Sequence, residues 1–156
     1  MTREIDEVEA DIMLCMEDVA HLLVHRYDVE LPDDIVTPEI IDMLAACWLD
    51  DPEAAVEIAT LDYVGTGKPP LGVVRDGLAA ALGGYLIDNG PEGDARWVSV
   101  FDDLGTTYGL VRRSVGQLMY VFDLVEKRLA CGERGIAPAA AMFLGDTGAT
   151  VAARGA

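Results

Sequence analysis

Apolar positions recur at helical spacing through most of the chain. Ile5, Val8, Ile12, Cys15, Val19 and Leu22 follow one another at alternating steps of three and four. That stripe predicts a helix over residues 2–27. Residues 28–34 are polar and include Pro32, which predicts a loop. Thr37-Pro38-Glu39 supplies an N-cap, a proline at the first helical position and an acid in the first turn. The helix it opens should run to about Leu49, burying Ile40, Leu44, Cys47 and Trp48. Asp51-Pro52-Glu53 repeats the signal and predicts a helix to about Val64, before Gly65.

Residues 71–87 are again helical in pattern, with Gly72, Gly77, Gly83 and Gly84 leaving room for another backbone. Residues 89–93 read as a turn. Asp94 can cap a short helix that buries Trp97, Val98, Phe101 and Leu104. Thr106 or Thr107 then opens a second long helix to about Cys131, with the stripe Val111, Val115, Leu118, Phe122, Val125 and Leu129. After Gly132 the chain is rich in Ala and Gly, and only Ala137 to Leu144 offers another turn or two. No segment alternates convincingly with period two. The expected fold is therefore all-α, a compact bundle of five to six helices with two long amphipathic ones. Residues 1–132 form its single domain, and 133–156 a partly mobile tail that adds little to the core.

Composition supports a folded domain, since 156 residues with 51% hydrophobic content can bury roughly 70% of the unfolded surface. Charge adds more. Eighteen of the 28 acids lie in residues 1–66 against only Arg3 and Arg26, a formal charge of about −16. The other 90 residues hold ten acids and nine bases. A polarised surface of this kind points to a basic protein partner, with Glu4, Glu7, Glu9, Asp11, Glu53 and Glu57 as the expected contacts. It argues against direct nucleic-acid binding, where each phosphate contact needs Lys or Arg. It argues equally against anionic membrane. The first residues are acidic where a signal peptide is basic, and no apolar run approaches the ~20 residues of a membrane span. A cytoplasmic protein is expected. Cys15, Cys47 and Cys131 are widely spaced among apolar neighbours, as buried reduced thiols would be.

Three constellations invite chemistry. His21 and His25 sit four apart, so a helix places both rings on one face with Glu17 and Asp28, a spacing that suits a transition metal. An acidic, solvated face is the plainer account of the same residues. Glu4-x-x-Glu7 and Glu39-x-x-Asp42 each place two carboxylates one turn apart on a helix, as magnesium sites do. The stretch Glu39-Ile40-Ile41-Asp42 resembles the second acidic element of the all-α MazG-type nucleoside-triphosphate pyrophosphatases. The resemblance covers about 45 residues and implies a metal-dependent hydrolase. The first pair lacks that family's adjacent glutamate, and the gap between pairs is longer. Gly65-Thr66-Gly67-Lys68 lacks the first glycine and the preceding strand of a phosphate loop. Arg112, Arg113, Lys127 and Arg128 form a small basic group, suited to complement the acidic segment within the chain or on a neighbouring copy.

The leading expectation is a non-enzymatic acidic interaction protein of inhibitor, antitoxin or nucleic-acid-mimic type, with no cofactor. One alternative is a self-assembling structural or adaptor subunit of a viral particle or compartment. It rests on the small-residue segment Gly77 to Gly84 and the apolar Met142-Phe143-Leu144. The other is the pyrophosphatase-like hydrolase. A homo-oligomer, most simply a dimer, is expected through Val111 to Leu129 or Leu71 to Ile87.

Overall fold

Asp6 decides where the first helix begins. Its carboxylate accepts the Glu9 backbone N–H at 2.8 Å, while the Asp6 N–H donates to the Glu9 carboxylate at 3.2 Å. This reciprocal capping box opens helix α1, Glu7–Arg26, and leaves Thr2–Glu4 outside it as strand β1. The computed structural model describes residues 2–59, 69–103, 105–131 and 135–145. Helix α2, Pro38–Leu49, starts as its sequence signal predicts, with the Thr37 hydroxyl accepting the Ile40 N–H at 3.3 Å. Helix α3 is Pro52–Ala59, and α4 is Pro70–Asn89. The glycine-lysine segment at 65–68 lies outside the described residues.

The all-α expectation is corrected by the chain beyond α4. Ala95–Asp102 is strand β2, Gly105–Arg112 is β3 and Gln117–Met119 is β4, and with β1 they form one antiparallel sheet in the order β1-β2-β3-β4. Two helices complete the chain, α5 at Val121–Cys131 and α6 at Ile136–Gly145. The described residues thus hold six α-helices beside a four-stranded sheet, a mixed α/β architecture. Asp94 caps no helix, and Thr106 and Thr107 sit in mid-hairpin, where Asp102 pairs with Gly105 and Phe101 with Thr106. The stripe Val111 to Leu129 is not one face of one helix. Val111 lies in β3, Val115 in a turn, Leu118 in β4, and only Phe122, Val125 and Leu129 share α5.

The core gathers around α4, whose Val74, Leu78, Leu82 and Leu86 are all fully buried. Its glycines admit neighbours inside the same chain. A Cβ at Gly77 would collide with Val19 of α1, and one at Gly83 with the Trp97 ring of β2. On the sheet, Trp97 and Tyr108 tilt against Phe122 of α5 at ring separations of 6.1 and 6.0 Å. Ile136, Ala140 and Phe143 of α6 are buried as well, so residues 136–145 belong to the core and are not a marginal tail. Of the two stretches expected as a dimer seam, Val74, Leu78, Leu82, Phe122, Val125 and Leu129 are buried within the chain, while Leu71 and Val115 stay exposed.

A buried ion pair ties α6 to the sheet. Arg112 donates through Nε to Asp94 at 3.0 Å and through Nη1 to the Phe143 carbonyl at 2.9 Å. Asp94 also accepts the Ser114 N–H at 2.7 Å and its hydroxyl at 2.8 Å. Those Ser114 bonds, then Arg112, hold the Asp94 carboxyl below its usual range. Arg112 is therefore a structural cation and not part of an exposed basic face.

Candidate functional site

Helix α1 presents two parallel bands to solvent. Its buried side carries Met13, Val19, Ala20, Leu23 and Val24, packed toward α4. At about 100° per residue, Glu7, Asp11, Asp18 and His25 cluster within about 40° on the opposite side. All four are exposed. About 60° round the helix from these acids run Val8, Cys15 and Leu22, seven residues apart. They are exposed too, Val8 at 67% and Leu22 at 42%. The apolar stripe read from the sequence is thus only partly the core face. Val19 is buried, but Val8, Cys15 and Leu22 face outward, because α4 takes the adjacent face with its small residues. The expectation of buried thiols fails for Cys15 for the same reason.

The apolar band ends in a cavity of about 390 Å³ between α1 and α3. Val19, Leu22, Leu23 and Ala54 line it, with His25, Arg26 and Glu57 at its polar edge. Arg26 is fixed there. It bonds the Asp51 carboxylate through Nε at 2.7 Å, pairs with Glu57, and lies over the Tyr27 ring at 6.0 Å. Burial, then the Asp51 carboxylate, pushes the Tyr27 hydroxyl up to about 12, so it stays neutral at physiological pH. Val56, exposed at 71%, continues apolar surface onto α3 between Glu53 and Glu57.

The six acids expected to contact a partner divide into two groups, at the two ends of a helix about 28 Å long. Glu4 pairs with Arg96 at 3.3 Å and with Arg113. Glu9 holds Arg3 at 2.8 Å, and Glu57 holds Arg26. Glu7, Asp11 and Glu53 are exposed and have no ion-pair partner among the described residues. Asp18, which completes the band with Glu7 and Asp11, is absent from the expected contacts. Counting at 100° per residue from Glu7 would have found it.

His21 and Glu17 meet in a second cleft, of about 230 Å³, with Asp34, Asp88 and Asn89. His21 and His25 line an adjoining one with Asp28 and Asp34. Glu17 and His25 share neither cleft, and among the described residues no three of His, Cys, Asp and Glu are grouped to hold a metal. Burial first, then the charges of Asp88 and Asp18, raise the Glu17 carboxyl. The paired-carboxylate geometry also dissolves. Glu4 lies on a strand and Glu7 on a helix, so they do not share a turn. Asp42 accepts the Ile136 and Ala137 N–H groups at 2.8 Å each and Arg128 at 3.1 Å, which commits it to starting α6. No helix among the described residues is long and apolar enough to cross a membrane. Compared with known proteins, the chain matches no family model, no curated protein and no solved structure.

Proposed function

We propose that this is a non-enzymatic interaction protein that docks on a basic protein partner through the outer face of α1. One observation supports this above the rest. All seven arginines among the described residues are already paired with carboxylates of the chain. Glu7, Asp11 and Asp18 line one exposed helix face with no such partner there. These arginines cannot neutralise that face without giving up a pair they already hold. Complementary charge on a partner would then speed and orient the encounter.

The acids of the hydrolase reading are divided between a strand, a helix start and a cap. Of the self-assembly residues, Gly77, Gly83 and Phe143 pack inside the chain, while Met142 stays exposed at 69%. The test is affinity capture at low and high salt, followed by titration of the identified partner against the Glu7→Lys, Asp11→Lys, Asp18→Lys triple variant. Binding should weaken with the variant and with salt, since screening shortens the Debye length to ~8 Å at 0.15 M. Binding indifferent to both would remove the proposal.

A further inference from the structure

We infer that the surface α1 offers is shaped for an amphipathic basic helix of the partner, with an apolar anchor seated between α1 and α3. This inference rests on the docking reading above and adds to it the form of the partner segment. Charge alone asks only for cations. The structure also leaves Val8, Cys15 and Leu22 uncovered beside the acids, in a straight row about 21 Å long. A partner helix of about four turns spans that length. Aliphatic or aromatic side chains on one of its faces would cover the row. Lysines or arginines on the flank would reach Glu7, Asp11 and Asp18. The cavity over Val19, Leu23 and Ala54 lies at the end of the row and is large enough for one bulky side chain.

A second copy of the chain is a poor occupant. Two α1 faces laid together would set these acids against their own counterparts, a like-charge contact that costs affinity. The mixed surface instead suits a partner that is apolar and cationic on the same helix.

The full-length chain can be titrated with two synthetic peptides of equal length, charge and composition. One carries leucines and lysines at helical spacing on separate faces, and the other is scrambled to have no apolar face. The facial peptide should bind about tenfold more tightly. Amide resonances around Val8, Cys15, Leu22 and Ala54 should shift on its addition. Leu22→Ser, with folding checked by an unchanged far-ultraviolet circular dichroism spectrum, should remove most of the advantage. Equal affinity for both peptides, with Leu22→Ser silent, overturns the inference and leaves the acidic docking reading standing. Binding to neither peptide, or binding unmoved by salt and by the triple charge reversal, overturns both. A homodimer that shields Cys15 from maleimide assigns the row to a second copy and also overturns the inference.

Discussion

Glu17 and Asp42 show how far a carboxylate's role depends on what folds against it. Glu17 lines a cleft with Asp34 and Asp88, and burial raises its carboxyl before the charges of Asp88 and Asp18 do. The sign is then fixed. Below the unfolded value of about 4.3 the group is neutral in both states. The stability available to the neutral carboxyl is lost as pH rises through the raised native value. Glu17→Gln should therefore stabilise the fold at pH 7 and change it little near pH 4. Denaturant midpoints at the two pH values check this, and a variant weaker at pH 7 would contradict it. Asp42 has the opposite character, since two backbone N–H groups and Arg128 converge on it. Asp42→Ala should cost about 1.5–3 kcal/mol in urea denaturation, the range for hydrogen bonds to a charged group. An unchanged midpoint would show that α6 starts without it.

The elements are held in place by close approaches that a helical wheel does not display. Gly83 allows α4 to lie against the indole of Trp97, which in turn packs on Phe122. Gly83→Ala should destabilise by about 1–3 kcal/mol through overpacking. The loss should be visible as a lower melting temperature together with a changed near-ultraviolet signal from Trp97. A neutral result would mean that the strand and helix can separate slightly at no cost. The β2–β3 hairpin had a legible signal of its own. Thr106, Thr107, Tyr108 and Val111 are β-formers, and Gly105 takes a φ of +129° at the hairpin end. The four-three spacing of Val111, Val115, Leu118 and Phe122 outweighed it only because strand, turn, strand and helix succeed one another at coincidental intervals.

The whole molecule carries a formal charge of −17. The described arginines already face acids, including Arg113 on Glu4 and Arg128 on Asp42, which join the near-neutral half to the acidic one. Exposed pairs such as Arg113 with Glu4 are worth about 0–1 kcal/mol each. Repulsion among the remaining acids should therefore dominate the response to salt. Melting temperature should rise between about 0.02 M and 0.5 M sodium chloride, as the Debye length falls well below 10 Å. A fall would show that the internal pairs outweigh the repulsion. The same screening should weaken docking on a basic partner, so stability and binding are expected to move in opposite directions with salt.

Local chemistry alone determined several elements of this protein. Thr37-Pro38 and Pro52 begin helices and residues 90–94 turn, because caps and turns are settled by neighbours within a few residues. The uneven charge was equally plain in the sequence, being a matter of counting. Tertiary structure decided the rest. A stripe such as Ile5 to Leu22 says that a helix is amphipathic but not which flank its neighbour will take. With α4 packed on Val19 through Gly77 and on Glu17 through Gly84, Val8, Cys15 and Leu22 are left facing outward. Strand pairing joins Thr2 to Val100 across nearly a hundred residues, and no local window contains both partners. The roles of Glu4, Asp42 and Arg112 likewise depend on residues 109, 86 and 31 positions away.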